Sequence, residues 1–191
     1  MAEILLFHHA QGLTAGMTAL ADRMRAANHT VRTPDLFEGR TFPTLDEGLA
    51  YARSVGFDAI LDRGVATADS LAPDIVYAGL SLGVMPAQKL AQTRAGARGA
   101  LLIDACLPVS EFGDRWPDGV PLQVHGMDGD EFFAGEDLDA ARALVDAIPQ
   151  AELFLYRGNV HLFADSSLPS YDANATEQLT ERMLAFLASL A

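Results

Sequence analysis

The chain has 191 residues, half of them apolar, and carries a net charge of −13 from 26 acidic and 13 basic side chains. A field of that sign repels phosphate backbones and anionic headgroups, so we expect neither nucleic acid nor a membrane surface as a partner. Cys106 is the single cysteine, which excludes an intramolecular disulfide and a cluster of thiolate metal ligands.

Short apolar runs alternate with amphipathic segments along the whole chain. The apolar runs are typical of buried strands, and they fall at 3–8, 29–36, 74–79, 99–104, 121–126 and 151–157. Helical spacing of apolar residues is found at 17–24 (with Thr14 as N-cap), 84–95, 137–148 and 174–190. A longer helical region, 44–72, is interrupted by Gly48, Gly56 and Gly64. This alternation predicts an α/β fold with a mostly parallel sheet, helices on both faces and no large lid.

The amino terminus and the hydropathy pattern suggest where the protein resides. Residues 1–12, MAEILLFHHAQG, lack the basic region that opens a signal peptide. No apolar run approaches the roughly 18 residues of a membrane span. We therefore expect a cytoplasmic protein. The length is that of one domain, residues 1–191, and we expect a monomer or a homodimer.

Residues 79–83, GLSLG, lie between a predicted strand and a predicted helix. In that setting the G-x-S-x-G pattern predicts a nucleophile elbow, a turn so tight that only glycine fits two positions before and after the serine. The following helix directs backbone N–H groups towards Ser81, where they would stabilise negative charge. The alternative interpretation is a chance run of small residues.

A nucleophilic serine needs a base, and the chain offers five histidines. His161 lies four residues beyond the last predicted strand, on a loop that Gly158 opens, and therefore at the carboxyl edge of the sheet. We expect it to be the base. His125 lies within the end of a strand, where a packed, hydrogen-bonded histidine is the usual finding, and His29 is expected at the surface.

The acid that orients the base is expected in the loop after the fifth strand, which offers Asp128, Asp130 and Glu131. Asp104 and Asp118 are weaker candidates. Position alone leaves Asp128 and Asp130 open, since Asp-Gly is also ordinary turn sequence. Either one gives the order serine, acid, histidine along the chain, which an α/β-hydrolase requires.

An oxyanion hole would combine the backbone N–H of Leu82 with a second N–H from the loop after the first strand. Ala10 or Gln11 is expected to supply that second donor. His9 would then overhang the pocket as a substrate contact, or it would merely end the strand.

With these residues in place, the chain resembles the dienelactone hydrolase family of α/β-hydrolases over nearly its full length. The resemblance rests on FHHAQGLTAGM, TPDLFEG, GLSLG, VHGMDGDEFF followed by DLDAARALV, and FLYRGNVHLFADSSLPSYDANA. It implies Ser81 as nucleophile and His161 as base. It also prefers Asp130 to Asp128 as the acid, and it implies an oxyanion donor in the loop that holds His9.

Two positions depart from the family's pattern. The name-giving enzymes carry a cysteine in the elbow where this chain has Ser81, and a glutamate at about the position of His9. Arg40 is the nearest match to the arginines with which those enzymes grip a substrate carboxylate. With serine as nucleophile, the hydrolase class of the family is still expected, but dienelactone itself is not implied as the substrate.

We therefore expect a serine hydrolase that cleaves a small carboxylic ester or lactone through an acyl-enzyme, with no metal or organic cofactor. A thioesterase or small peptidase with the same triad is one alternative, and a non-catalytic binding protein of the same fold is another. Cys106 lacks flanking glycines and a following helix, so it is interpreted as a small apolar residue.

Overall fold

Six strands form one sheet in this computed structural model, which describes residues 1–190. The sheet is ordered β2-β1-β3-β4-β5-β6, and each neighbouring pair runs parallel. All six predicted strand segments are confirmed, and their bounds are β1 (Glu3–Phe7), β2 (Thr30–Arg32), β3 (Val76–Leu80), β4 (Gly99–Ile103), β5 (Leu122–Met127) and β6 (Ala151–Tyr156).

Helices cover both faces of the sheet, as the alternating pattern predicts. Their bounds are α1 (Ala15–Ala26), α2 (Leu45–Val55), α3 (Phe57–Ala66), α4 (Val84–Thr93), α5 (Glu136–Ala147) and α6 (Ala173–Ser189). In β1, Ile4 and Leu6 belong to the core cluster that α1 and α6 complete. Leu5 and Phe7 belong to the cluster beneath the other four helices. Among the helices within residues 1–190, none combines the length and the apolar character that crossing a membrane requires.

Most predicted bounds differ from the observed ones by one or two residues, and two segments differ in a way that has a physical cause. Strand β2 ends at Arg32, short of the predicted 29–36, because Pro34 has no N–H for the sheet and the N–H of Leu36 donates to the His8 ring instead. The helical region 44–72 forms two helices that meet at Gly56, where φ is +94°. Gly48 and Gly64 lie within α2 and α3 and do not interrupt them. Glycine is needed at both positions because other segments pack directly against them.

The direction of the connections reverses between β1 and β3. The chain runs from β1 to β2 on one side of the sheet and from β3 to β4 on the other. In open parallel sheets a crevice forms outside the carboxyl ends of the two strands at such a point. The loop after β1 carries His9, Ala10 and Gln11, and Ser81 follows β3. The topology therefore places the predicted oxyanion loop and the predicted nucleophile side by side.

Helix α2 packs closely on the loop after β1. A Cβ added at Gly48 would lie 2.7 Å from the carbonyl carbon of Ala10. Alanine normally stabilises a helix relative to glycine by about 1 kcal/mol. Here we expect Gly48→Ala to lower the free energy of unfolding by about 1–3 kcal/mol in urea, because the methyl group displaces backbone.

The matched control for that substitution is Gly113→Ala, whose added Cβ would meet only the end of the Gln92 side chain at 3.7 Å. It should change the unfolding free energy by less than about 0.5 kcal/mol. Equal effects of the two substitutions would contradict the packing argument.

Candidate active site

The turn after β3 brings three backbone segments into close approach around Ser81. A Cβ at Gly79 would lie 2.6 Å from the nitrogen of Val84, and one at Gly83 would lie 2.7 Å from the carbonyl oxygen of His8. Neither position therefore accepts a side chain. Ser81 has a φ of +50°, in the left-handed region that non-glycine residues rarely adopt. This strained turn has the features of a nucleophile elbow.

The structure brings Ser81, His161 and Asp130 together in one hydrogen-bonded chain. The Nε2 of His161 lies 2.8 Å from the Ser81 Oγ, and its Nδ1 lies 2.6 Å from the Asp130 Oδ2. The Asp130 carboxylate fixes the tautomer, since it accepts a hydrogen bond from Nδ1–H and leaves Nε2 free to accept one from the serine hydroxyl. The serine hydroxyl thus faces a ring nitrogen that is already oriented to accept its hydrogen bond.

Burial and charge oppose each other at His161, whose side chain is 8% exposed. Burial by itself lowers the pKa of the ring, but the hydrogen bond to Asp130 and the surrounding carboxylates outweigh it, so the pKa is raised above its ordinary value. Asp104 and Asp137 are two of those carboxylates. The surroundings therefore stabilise the protonated form of this ring more than water does for an ordinary histidine.

Asp128 and Asp130 lie in very different surroundings, although only Gly129 separates them. The Asp130 side chain is 1% exposed and touches the His161 ring. Asp128 is exposed, and its Oδ1 accepts the N–H of Gly158 at 3.1 Å. Asp128 thus ties two loops together, while Asp130 is the carboxylate beside the ring.

The histidines set aside as bases have structural partners. His125 is buried within β5, with Nδ1 2.9 Å from the Tyr156 hydroxyl and Nε2 3.2 Å from the Gln123 Oε1. Burial lowers the pKa of His125 to about 3, so the ring is neutral. His8 is buried as well, and its Nε2 accepts the N–H of Leu36 at 2.9 Å.

The loop after β1 distinguishes between the two expected oxyanion donors. The N–H of Gln11 donates to Nδ1 of His9 at 3.1 Å. Within residues 1–190 the N–H of Ala10 has no hydrogen-bond acceptor. Ala10 is therefore the donor that remains available to pair with Leu82, which opens the turn after Ser81.

The expectation that His9 overhangs the pocket as a substrate contact is wrong. Its side chain is fully buried, and its Nε2 donates to Oδ2 of Asp165 at 2.7 Å. Because Nδ1 accepts from Gln11, both ring nitrogens are already occupied. The resemblance gave no role to Asp165, yet this residue links the loop after β1 to the segment that carries His161.

Asp165 gathers donors from three places. It accepts from His9, from the hydroxyl of Thr14, and from the N–H and hydroxyl of Ser167. Burial alone would raise the pKa of Asp165, but these hydrogen bonds outweigh it and lower the pKa to about 2. The only sequence signal for this role of Asp165 is its position four residues after His161. That spacing becomes informative only once His9 is known to be the partner of Asp165.

Arg40 is exposed, with its guanidinium 5.2 Å from the centre of the Tyr51 ring, and its role as a substrate contact stays a prediction.

One atom each of Asp104, Asp130 and His161 lie within 4.8 Å of one another, the spacing of a possible metal site. Both nitrogens of His161 are already hydrogen-bonded to Ser81 and Asp130, so the ring offers no free ligand atom.

Comparisons with known proteins identify the family of the chain. The model of the dienelactone hydrolase family matches residues 2–191. The chain belongs to the dienelactone hydrolase family. Members are hydrolases of the α/β-hydrolase fold, as the sequence resemblance implies. Among curated protein sequences, none matches the chain.

Solved structures share the fold at low sequence identity. A candidate dienelactone hydrolase from Klebsiella pneumoniae subsp. pneumoniae is 18% identical, with a TM-score of 0.73 over 98% of this chain and 87% of its own. A candidate hydrolase of the α/β superfamily from Xanthomonas campestris pv. campestris is 21% identical, with a TM-score of 0.69 over 99% of both chains. A dienelactone hydrolase-like promiscuous phosphotriesterase from metagenomic libraries is 18% identical, with a TM-score of 0.69 over 100% of this chain and 87% of its own.

The pairing of His9 with Asp165 predicts a pH-dependent loss of stability. The pKa of Asp165 lies near 2 in the folded chain, against 3.8 ordinarily, so its stabilisation is present above pH 4 and is lost as the pH falls towards 2. We expect Asp165→Asn to lower the free energy of unfolding by about 2 kcal/mol at pH 7. The gap between wild type and variant should narrow between pH 4 and pH 2.5, measured by urea unfolding. The exposed Asp58→Asn on α3 is the control, and a gap independent of pH would contradict the assignment.

Proposed function

We propose that this protein is a serine hydrolase that cleaves a small carboxylic ester or lactone through an acyl-enzyme. The observation that carries the proposal is the chain of hydrogen bonds from Ser81 through His161 to Asp130, at 2.8 and 2.6 Å. A serine hydroxyl is a weak nucleophile by itself, and this arrangement is the one that activates it.

In the first half of the reaction, the Ser81 Oγ attacks the acyl carbon while His161 Nε2 takes the hydroxyl proton. Asp130 holds the ring in place and stabilises the imidazolium that forms. In this proposal the N–H groups of Leu82 and Ala10 stabilise the oxyanion, and each such donor typically contributes a factor of about 10²–10³ to kcat. The imidazolium then gives its proton to the leaving alkoxide, which departs and leaves Ser81 acylated.

In the second half, water attacks the acyl-enzyme. His161 removes a proton from the water, and the second oxyanion collapses with cleavage of the bond between the acyl carbon and Ser81 Oγ. The imidazolium gives its proton to Oγ, which restores the serine hydroxyl and releases the carboxylic acid. A lactone follows the same path, with its alcohol and acid products joined in one molecule.

The surroundings of the triad support a compact substrate. The longest connection between strands, residues 33–75, folds as α2 and α3 against the core, so it is not a lid over Ser81. The Phe132 ring, 48% exposed, lies 4.8 Å from the His161 ring between centres. It offers an apolar wall for the part of an ester that leaves, and in this proposal the natural partner is a small uncharged molecule.

A fluorophosphonate probe tests the nucleophile directly. We expect it to label the wild type at Ser81 and to leave Ser81→Ala unlabelled, because the probe phosphorylates only an activated serine. Turnover of short p-nitrophenyl esters should fall by at least about 10³-fold in the same variant. Ser54→Ala, on the exposed side of α2, is the control and should behave like the wild type. Labelling of both Ser81 forms to the same extent would favour a non-catalytic protein of this fold.

A second test separates the two neighbouring aspartates. Asp130→Ala should lower kcat/KM by at least about 10²-fold, because His161 loses the group that fixes its tautomer. Asp128→Ala removes only the bond to Gly158 and should cost less than about 3-fold. The reverse order of effects would refute the assignment of Asp130.

Measuring thioester and peptide substrates alongside the esters decides between an esterase, a thioesterase and a peptidase.

A further inference from the structure

Asp104 is a third carboxylic acid beside the triad, and the mechanism above does not use it. It directly follows β4, its residue is 1% exposed, and its backbone has a φ of +58°. Such a backbone is uncommon for any residue other than glycine, although aspartate and asparagine adopt it more readily than others. A buried acid in a strained position at the carboxyl edge of the sheet calls for a physical reason.

The contacts of Asp104 point towards His161. Its Oδ2 accepts the N–H of Leu162 at 3.1 Å, and Leu162 directly follows His161 in the chain. One oxygen of Asp104, one of Asp130 and one ring nitrogen of His161 lie within 4.8 Å of each other. The other oxygen of Asp104, Oδ1, is buried without a hydrogen-bond partner.

A buried carboxylate with one oxygen unpaired is costly to ionise, because burial removes its hydration. Burial raises the pKa of Asp104 to about 7, His161 opposes that shift, and the like charge of Asp130 adds to it. The remaining neighbour from β6, Tyr156, is a neutral phenol, since burial raises its pKa to about 12. The charge of Asp104 therefore depends on the charges of Asp130 and His161.

We propose that Asp104 is a positioning residue for His161, which anchors the ring's segment through Leu162 and serves as a second carboxylate for the imidazolium. The proposal rests on the proposed function, since it concerns the same reaction. When Asp130 is removed, the like charge that opposes ionisation of Asp104 is gone. Asp104 then ionises and becomes the carboxylate within reach of His161.

The test is a double-mutant cycle with Asp104→Asn and Asp130→Ala. Asparagine keeps an oxygen for the N–H of Leu162 and tolerates the backbone of residue 104, so the substitution removes mainly the ionisable group. We expect Asp104→Asn alone to lower kcat/KM by about 3- to 10-fold, and Asp130→Ala alone by about 10²-fold. The double variant should lose about 10⁴-fold, more than the product of the single losses. The same small factor for Asp104→Asn in both backgrounds would overturn the proposal.

The pH profile supplies a readout that a purely structural role would not move. An ionised Asp104 raises the pKa of His161, so Asp104→Asn should move the acidic limb of kcat/KM to lower pH. The shift should be larger in the Asp130→Ala background, where Asp104 is the nearer charge. Asp128→Asn, which keeps its bond to Gly158, is the matched control and should leave the limb in place.

Titration of the unmodified chain by NMR, with ¹⁵N-labelled histidine, tests the same coupling without a variant at residue 104. The His161 ring is assigned by comparison with His161→Gln. Two inflections in its titration would support coupling to a second acid, and a single inflection would overturn it. This measurement also separates the two proposals, because it does not depend on turnover, whereas an inert Ser81 in the fluorophosphonate experiment would refute the proposed function itself.

Discussion

Close backbone packing between β1 and the turn after β3 is the constraint on which the site depends. The residue that begins the loop after β1, His8, places its carbonyl oxygen where a side chain at residue 83 would lie. Glycines at 79 and 83 allow that approach, and the approach holds Ser81 in its left-handed conformation above the sheet. The same contact sets the loop that carries Ala10 beside the serine. The proposed nucleophile and the proposed oxyanion donors are thus positioned by one close backbone contact.

A single segment, residues 158–167, connects the two halves of the site. His161 reaches Ser81, while Asp165, four residues later, reaches His9 in the loop after β1. Both histidine–aspartate pairs are buried, and both fix a tautomer by occupying the ring nitrogens. In the proposed reaction, the first pair activates the Ser81 oxygen, and the second holds the backbone that would stabilise the resulting charge. Movement of this segment would therefore disturb both functions together.

The electrostatics of the site are unusual in one respect, the number of carboxyl groups around one imidazole. Asp130 touches the ring, Asp104 lies within 4.8 Å of it, and Asp137 acts from α5. Two neighbouring buried carboxyl groups resist being ionised at the same time. The ionisation of Asp104 therefore depends on the charges of its neighbours. The net charge of −13 adds to this resistance, and it disfavours the binding of an anionic substrate at the site.

The sequence by itself determined the parallel sheet, the tight turn at Ser81 and the position of His161 just after the last strand, because strand periodicity and turn signals are local properties. Position in the sequence left Asp128 and Asp130 open, and only the tertiary structure shows which of them touches His161. The tertiary structure also decided that His9 is buried and that it pairs with Asp165. His9 and Asp165 are 156 residues apart, so no local pattern links them. Burial determines what a side chain can touch, and burial depends on how distant segments pack.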